Sequence, residues 1–402
     1  MNEINRRKFI GKSGLALTGL AVGFPAIAKN FASHSANDKV NLAVIGAGSR
    51  GRGLMKIMQD VPSIQMVAAC DVRQKNLDKA KELIGKGAKG YVDYRKLLED
   101  KDVDAVLIST PLSMHSQMAI DALDAGKHVY CEKTMAYDAA QALAMVSKSK
   151  ENKDLIFQTG HQYHSSRLYT KVVDLIKEGN IGKVMGFECQ WNRNGDWRRK
   201  VDDPKNERLI NWRMYREYSK GLLAELSSHQ IDFANWVTDS HPESVIGSGG
   251  IDYWKDGRET YDNTRVIFNY PGGVKATYTC LTFNSYSDYR IKVFGDEATL
   301  FLGYDDARAY LEGKKKKELG VVDGVSGATI RKMMAEDESI EIKSDNMDPS
   351  KQALVDFADS IRNNTEPISN IQTGAKASFA VSMALDAIMT DKRVYWKDEY
   401  NV

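Results

Sequence analysis

The chain has little of what marks several specialised classes of protein. Its 402 residues include only four cysteines, and its 56 basic and 54 acidic residues leave a net charge of +2. The cysteines are scattered without metal-ligand spacing, so we expect no essential disulfide and no zinc site built from them. The balanced charge gives no electrostatic reason to bind nucleic acid or an acidic membrane surface. No apolar run reaches the roughly 20 residues of a membrane-spanning helix.

The N-terminus has the features of an export signal. Arg6 and Arg7 precede a mild apolar run rich in glycine, alanine and leucine, which closes on an A-x-A sequence at residues 26–28. This order of features is typical of a twin-arginine signal peptide. We therefore predict a signal over residues 1–28, a linker over 29–37, and an exported, periplasmic bacterial protein with no membrane span after signal removal. Because twin-arginine systems carry folded proteins, the signal also hints at a bound cofactor.

The rest of the chain divides into two patterns, and the predicted fold class is α/β. Over residues 38–160, short β-branched runs alternate with amphipathic helical segments, which predicts a doubly wound parallel sheet because parallel strands need crossover helices. Over residues 161–402, longer alternating segments separated by turns such as 271–273 predict an α+β domain with a large, mostly antiparallel open sheet. We expect the final helices, at 351–363 and about 373–389, to pack back toward the first domain.

A glycine-rich turn follows the first predicted strand and opens the first predicted helix. Gly46, Gly48 and Gly51 form a G-x-G-x-x-G pattern, which permits a tight turn, close approach of a pyrophosphate and close helix–strand packing. The helix N-terminus then offers free N–H groups to the phosphates. Asp71 ends the second predicted strand, where an acid can bind the adenosine ribose. This favours NAD over NADP, and Arg73 weakens the preference.

Further motifs add to the glycine turn. They are T-P-x-x-x-H at 110–115, AGKHVYCEK at 125–133, IKEGNIGKV at 176–184 and KGLLAELSSHQID at 220–232. Together they resemble the Gfo/Idh/MocA family of NAD(P)-dependent oxidoreductases from Lys39 to the C-terminus. The resemblance implies a Rossmann domain followed by an α/β domain whose open sheet carries the substrate face. It also implies a nicotinamide cofactor, substrates among sugars, cyclitols and their relatives, and a homo-oligomer formed face to face through the open sheet.

Two positions depart from the family pattern. Thr134 stands where the family's Glu-Lys-Pro has proline, so the proline-fixed bend after Lys133 is missing. Glu225 stands where the family's Asp-x-x-x-His has aspartate, one methylene shorter. The acid could orient the imidazole of His229 or contact a sugar hydroxyl, and both roles stay open.

Lys133, His229 and Glu225 are the predicted catalytic residues. A secondary alcohol that loses a hydride must also lose its hydroxyl proton, and histidine, with an ordinary pKa of about 6.5, is suited to remove it. A lysine ammonium beside the same oxygen stabilises the developing alkoxide charge. One alternative is that Glu225 and His229 form a purely structural buried pair. Another is that they bind a metal with His161 or His164, but no metal-binding cluster is predicted.

The resemblance and the local patterns together give two sets of binding residues. The predicted cofactor-binding residues are Gly46, Gly48, Ser49, Arg50, Gly51, Asp71, Arg73, Thr110, Pro111, His115, Glu132, Lys133 and Gln162. The segment 191–213 concentrates tryptophans, including Trp212, with arginines such as Arg198, and this suits the apolar face and hydroxyl rim of a sugar. The predicted substrate-binding residues are His161, Tyr163, His164, Trp191, Arg193, Trp197 and Arg213.

Three functions fit these residues. The first is an exported NAD-dependent oxidoreductase that moves a hydride between a ring hydroxyl position of a sugar or glycoside, such as C3, and a tightly bound nicotinamide. The second is an NAD-dependent glycosidase that works by transient oxidation, elimination, water addition and re-reduction. The third is a non-catalytic, nucleotide-bound sugar sensor. Since free NAD is scarce outside the cytoplasm, an exported oxidoreductase should retain its NAD and pass the hydride to a second substrate.

Overall fold

The computed structural model describes residues 39–312, 339–345 and 347–402, so the predicted signal peptide and linker lie outside the described residues. The first domain contains one six-stranded sheet. Its strands are β1 (Val40–Ile45), β2 (Ile64–Cys70), β3 (Lys89–Tyr91), β4 (Ala105–Ile108), β5 (His128–Cys131) and β6 (Phe157–Thr159). The helices between them are α1 (Ser49–Met58), α2 (Gln74–Ile84), α3 (Tyr94–Leu98), α4 (His115–Asp124) and α5 (Ala139–Glu151).

The first sheet confirms the predicted doubly wound arrangement. Its strand order is β3-β2-β1-β4-β5-β6, and every neighbouring pair is parallel. Strand β4 is buried along its whole length, as expected where helices cover both faces of a parallel sheet. The short edge strand β3 has no buried residue, so its sequence carries no apolar pattern that predicts a strand.

The second domain is built on a nine-stranded sheet, which confirms the mostly antiparallel prediction. Its strands are β7 (Val184–Asn192), β8 (Ser244–Gly250), β9 (Asn263–Asn269), β10 (Lys275–Leu281), β11 (Tyr289–Gly295), β12 (Ala298–Leu302), β13 (Ala307–Leu311), β14 (Ser339–Glu341) and β15 (Val394–Tyr395). They are ordered β14-β13-β12-β11-β7-β10-β9-β8-β15. Strands β7 and β10 pair in parallel, and the other neighbours for which a register is described pair antiparallel.

One face of the large sheet is open. Strands β9 and β10 alternate buried and more exposed residues, which is the pattern of a sheet with one covered face. Ile246 and Ile267 are paired across β8 and β9 on the uncovered face, and both are exposed. This is the face through which the family resemblance implies an oligomer.

Five further helices follow the first domain along the chain, and the last two of them pack against it. They are α6 (Arg167–Lys177), α7 (Glu207–Ile210), α8 (Ser228–Thr238), α9 (Pro349–Asn363) and α10 (Ile371–Thr390). Helix α9 buries Phe357 in the same core as β1, with its ring 5.6 Å from that of Tyr130. Helix α10 approaches the first domain closely at Gly374, where a Cβ atom would lie 2.3 Å from Thr159. The chain thus packs against the first domain through α9 and α10 before it ends beyond β15 of the second sheet.

Two general properties bear on function. All four cysteines are free and buried. In the three segments that the structure describes, no helix is both long and apolar enough to cross a bilayer.

Candidate active site

A cavity of about 850 Å³ is lined by residues of both domains. The predicted residues that line it are Ser49, Arg50, Thr110, His115, Glu132, Lys133, Gln162, Tyr163, Trp191, Arg193, Trp197, Arg213, Glu225 and His229. Other lining residues are Ser109, Leu112, Arg198, Arg199, Trp212, Leu226, Tyr304, Asp305, Asp348, Pro349 and Ser350. The structure therefore gathers the predicted catalytic residues with most of the predicted cofactor- and substrate-binding residues around one space.

The glycine turn fits the pyrophosphate of a dinucleotide. A Cβ atom at Gly46, whose φ is +92°, would lie 2.7 Å from the carbonyl oxygen of Ser109, and one at Gly51 would lie 2.1 Å from the carbonyl oxygen of Gly46. At Gly48, by contrast, a Cβ atom would meet no other atom within 4 Å. No side chain caps the N-terminus of α1 after Gly48. Open space thus lies beside a turn that only glycine can form, with uncapped helix N–H groups to bind phosphate.

Asp71 and Arg73 lie at the end of β2, outside the lining of the main cavity. The Oδ1 atom of Asp71 accepts a 2.8 Å hydrogen bond from the Arg73 amide, and both its oxygens accept from Asn76 Nδ2 at 3.2 and 3.1 Å. The Asn76 Oδ1 in turn accepts from Arg52 Nη1 at 3.0 Å. A carboxylate has about four acceptor positions and three are used here, so Asp71 keeps about one for a ribose hydroxyl.

Arg50 and Glu132 form an ion pair beside the glycine turn, in which the carboxylate is buried and the arginine side chain is partly exposed. Arg50 Nε lies 2.8 Å from Glu132 Oε1, and the Glu132 side chain is 7% exposed. Burial opposes the charge on Arg50, but the Glu132 carboxylate outweighs it and raises the pKa of Arg50. Arg50 Nη1 also donates to Ser350 Oγ at 3.4 Å, so the first turn of α9 joins the cofactor side of the cavity. Glu132 therefore orients a cofactor-side arginine next to Lys133.

Lys133 lies on the loop after β5, and its peptide bond to Thr134 is cis although no proline follows it. The Thr134 hydroxyl donates a 2.9 Å hydrogen bond to the Ala224 carbonyl. Lys133 Nζ donates to the Glu225 carbonyl oxygen at 2.6 Å. Burial lowers the pKa of Lys133, while the carboxylates of Glu225 and Glu132 oppose that change.

His115 contacts the loop that carries Lys133. Its Nδ1 lies 3.0 Å from the Thr134 carbonyl oxygen and its Nε2 lies 3.0 Å from the Thr110 carbonyl oxygen. Burial lowers the pKa of His115. His115 therefore lines the cavity with its two ring nitrogens facing carbonyls of the loop after β4 and of the Lys133 loop. Because a neutral imidazole has a single N–H, it donates to one of these carbonyls at a time. Pro111 does not line the cavity.

Glu225 lies close to Lys133 but is not hydrogen-bonded to His229. A π-helical turn, Leu223–Ser227, precedes α8, so residues four apart no longer have the α-helical offset on which the prediction rested. The Glu225 carboxylate instead accepts from Arg213 Nε at 2.8 Å and from Ser219 Oγ at 3.2 Å. Burial would raise the pKa of Glu225, but Arg213 and Lys133 lower it overall. The structure thus gives Glu225 the role of a counter-charge rather than that of orienting the imidazole.

His229 is neutral in this environment. Burial, followed by the positive charge of Lys133, lowers the pKa of His229 well below its ordinary value. Its Nδ1 is sealed from solvent without a hydrogen-bond partner in the described chain, so Nε2 is the nitrogen available to the cavity. The ring is held by aromatic neighbours, with centroids 5.3 Å from Tyr163 and 5.6 Å from Trp191. A neutral imidazole facing a cavity can accept a proton.

His161 and His164 are predicted substrate-binding residues, but neither lines the cavity. The short 3-10 helix Gln162–Ser165 directs Gln162 and Tyr163 to the cavity and leaves His164 behind them. His164 Nε2 lies 2.8 Å from Asp232 Oδ2, and both side chains are buried. The His161 ring lies edge-on to that of His229, with centroids 5.7 Å apart. Among the described residues, no three His, Cys, Asp or Glu side chains are grouped as metal ligands.

An aromatic wall forms the substrate side of the cavity. The Trp191 ring lies 4.8 Å from that of Tyr289 and 5.9 Å from that of Tyr304. The Arg193 guanidinium lies 5.4 Å from the Trp191 ring, and the Arg213 guanidinium lies 4.1 Å from the Trp212 ring. Flat apolar faces bordered by guanidinium donors suit the C–H face and hydroxyl rim of a sugar.

Several lining residues could not be assigned from local sequence. Tyr304 and Asp305 lie in the turn between β12 and β13, and nothing in that turn marks it as part of the site. The start of α9 does have a sequence pattern typical of a helix N-terminus, because Asp348 caps the helix and Pro349 occupies its first turn. That pattern predicts where the helix begins, but not that it meets the cofactor side.

The family follows from matches on both domains. Residues 40–161 match the family described as oxidoreductase family, NAD-binding Rossmann fold, and residues 169–301 match the GFO/IDH/MocA C-terminal domain. The chain belongs to the Gfo/Idh/MocA oxidoreductase family. This oxidoreductase therefore binds NAD(H) on its first domain, which agrees with the glycine turn described above.

Three similar proteins are informative. The oxidoreductase is 27% identical over 267 residues to myo-inositol 2-dehydrogenase of Thermotoga maritima, covering 65% of this chain and 75% of that protein. It is 26% identical over 239 residues to glycosyl hydrolase family 109 protein 1 of Shewanella sp. (strain ANA-3), covering 54% of this chain and 51% of that protein. Its fold matches levoglucosan dehydrogenase in complex with NADH and levoglucosan, with a TM-score of 0.72, 17% identity, and coverage of 89% and 99% of the two chains.

Proposed function

We propose that this oxidoreductase moves a hydride between a hydroxyl-bearing ring carbon of a sugar or glycoside and NAD. The observation that carries the proposal is the convergence of Lys133, His229 and the Trp191 wall on one cavity that also reaches the start of α1. The named substrates of two similar proteins, myo-inositol and levoglucosan, are both ring polyols, which supports this substrate class.

Different side chains of the cavity have different roles in alcohol oxidation. NAD, when bound on the glycine turn, supplies the hydride acceptor. His229 Nε2 takes the hydroxyl proton, and its lowered pKa keeps it unprotonated and ready at neutral pH. The Lys133 ammonium stabilises the negative charge that develops on the same oxygen. Glu225 opposes the loss of the Lys133 charge, and Trp191 packs against the apolar face of the ring.

A glycosidase remains the second candidate, because the Shewanella relative bears a glycosyl hydrolase name and aligns over half of its length. In that reaction the same oxidation makes the neighbouring C–H acidic. The aglycone then leaves by elimination, water adds, and the hydride returns to the sugar. Lys133 and His229 would serve both reactions, so the products must distinguish them.

The two candidates predict different spectra and products. We expect purified enzyme mixed with a panel of free sugars and chromogenic glycosides to form enzyme-bound NADH, without release of aglycone. This is measured by following NADH absorbance and free aglycone in the same stopped-flow experiment. Aglycone release over many turnovers with no net NADH would instead establish the glycosidase, and neither signal with any member of the panel would refute both.

We also propose that the protein is exported and holds its NAD tightly. The proposal rests on Arg6, Arg7 and the A-x-A sequence at 26–28. Replacing both arginines with lysine is expected to leave the full-length protein in the cytoplasm, as measured by cell fractionation, whereas an equivalent change of Lys8 to arginine should leave export intact. Export of the double-lysine variant at the wild-type level would contradict the assignment. Mass spectrometry of denatured, freshly purified protein tests for retained NAD.

A further inference from the structure

Arg199 is a second-domain residue that lines the same cavity as the start of α1 in the first domain. It lies in the segment 191–213, which also contributes Trp197 and Arg213 to the lining. The segment thus extends from the substrate side to the cofactor side. Arg199 belongs neither to the aromatic wall nor to the residues that transfer the proton, so the roles described above give it no function.

The backbone of Arg199 is fixed by a buried amide. The Arg199 N–H donates to Asn211 Oδ1 at 2.7 Å, and Asn211 Nδ2 donates to the Arg199 carbonyl oxygen at 3.0 Å. Asn211 is only 3% exposed, and its Nδ2 also donates to Glu207 Oε2 at 3.0 Å. Two hydrogen bonds from the buried Asn211 side chain hold the backbone of Arg199 in place. The Arg199 side chain therefore extends from a backbone of fixed position.

The charge around Arg199 is unbalanced. The adjacent Arg198 is paired with Glu207 and with Asp256, the latter at 3.3 Å. Within the described residues, however, the guanidinium of Arg199 has no hydrogen-bond or ion-pair partner, and the same holds for Arg73. Burial and then the like charges of Arg213, Arg52 and Arg73 lower the pKa of Arg199. These guanidinium groups are close enough to repel one another, and no carboxylate offsets the repulsion at Arg199.

Arg199 is an exposed residue whose backbone is fixed and whose guanidinium has no counter-ion among the described residues, and such a group is suited to bind an anion. Arg52 and Arg73 both lie near the end of β2, where the Arg52 guanidinium donates to Asn76 Oδ1 and the Arg73 backbone N–H donates to Asp71 Oδ1. Because the adenosine ribose of a dinucleotide is expected at this end of β2, a dinucleotide is the anion that suits this site. We propose that Arg199 binds a phosphate group of the nicotinamide dinucleotide and so closes the segment 191–213 over the cofactor. The inference rests on the tightly held cofactor of the proposed function. The phosphate is either the pyrophosphate, common to NAD and NADP, or the 2′-phosphate of NADP.

The test compares nucleotide binding by the wild type and by Arg199→Gln, Arg199→Lys and Lys200→Gln. Lys200 is the matched control, because it is an adjacent exposed cation that does not line the cavity. Enzyme stripped of nucleotide is titrated with NADH and with NADPH by calorimetry, and dissociation rates are followed by nicotinamide fluorescence. We expect Arg199→Gln to weaken binding by about tenfold or more, since hydrogen bonds to charged groups contribute roughly 1.5–3 kcal/mol. Arg199→Lys should recover part of the loss, and Lys200→Gln should bind as the wild type does.

The outcomes show which phosphate group Arg199 binds, and they distinguish a failure of this inference from a failure of the proposed function. Equal weakening toward NADH and NADPH assigns Arg199 to the pyrophosphate, and weakening toward NADPH alone assigns it to the 2′-phosphate. Wild-type affinity of Arg199→Gln for both nucleotides, with an unchanged melting temperature, overturns the inference. If the wild type binds nucleotide but oxidises no sugar, the proposed function fails while the assignment of Arg199 stands.

Discussion

Replacing His229 with alanine is expected to lower single-turnover reduction of bound NAD by about 10²–10⁴-fold, the usual contribution of a general acid–base group. The physical reason is that no other described imidazole lines the cavity with a free nitrogen. Both ring nitrogens of His115 face backbone carbonyls rather than open space, and His161 lies outside the lining. Nucleotide content should stay near the wild-type value, because the His229 side chain makes no described hydrogen bond to the glycine turn. The melting temperature, measured on the same sample, reports the lost packing of the ring against Tyr163 and Trp191.

The pH profile adds a second readout for His229. Burial and Lys133 lower the pKa of His229, so the imidazole stays unprotonated at neutral pH and the wild-type rate should fall only well below pH 6.5. His241→Ala is a suitable control, because that ring stacks on Trp396 away from the cavity. If His229→Ala reduces its NAD as fast as the wild type across a panel of sugars and glycosides, His229 is a structural residue.

Replacing Lys133 with methionine is expected to lower the same rate by about 10²–10³-fold, the usual cost of removing one donor to a developing oxyanion. Methionine retains much of the buried aliphatic volume and removes only the charged donor. The variant should still bind NAD, because the glycine turn and the Arg50–Glu132 pair remain. Nucleotide retention is measured on the same sample by mass spectrometry.

Glu225 provides an independent test of the charge on Lys133. Burial lowers the pKa of Lys133 and the Glu225 carboxylate opposes that effect, so Glu225→Gln should lower this pKa further. The ammonium is then lost at a lower pH, and the alkaline limb of the rate profile should move toward neutrality. An unchanged alkaline limb in Glu225→Gln, or wild-type turnover in Lys133→Met, would show that the ammonium does not act on the reacting oxygen.

Elements with a strong repeating pattern could be predicted from the sequence. The buried run of β4 and the alternation along β9 and β10 reflect how many faces of each strand are covered, and that information is local. The glycine turn could also be predicted from the sequence, because its function depends on residues without side chains at a fixed spacing. The short β3 has no such pattern, since its pairing depends on β2 rather than on its own residues.

The site was harder to predict where side-chain direction decided the outcome. Glu225 and His229 belong together in sequence, yet a π-helical turn and the competing Arg213 direct the carboxylate elsewhere. Arg199 and Tyr304 become site residues only because distant segments meet at the cavity. Such contacts depend on tertiary packing, which the spacing of residues in one segment does not contain.

The most direct test of the central claim is the transfer of a labelled hydride. Enzyme carrying oxidised NAD is mixed with an excess of a sugar or glycoside whose ring carbons bear deuterium in place of hydrogen. The reaction is stopped within one turnover, and the released nucleotide is analysed by mass spectrometry. We predict NADH that carries one deuterium on the nicotinamide in the wild type, and a strongly reduced yield in His229→Ala. Unlabelled NADH, or NAD that stays oxidised with every ring-deuterated sugar and glycoside tested, would contradict the proposal.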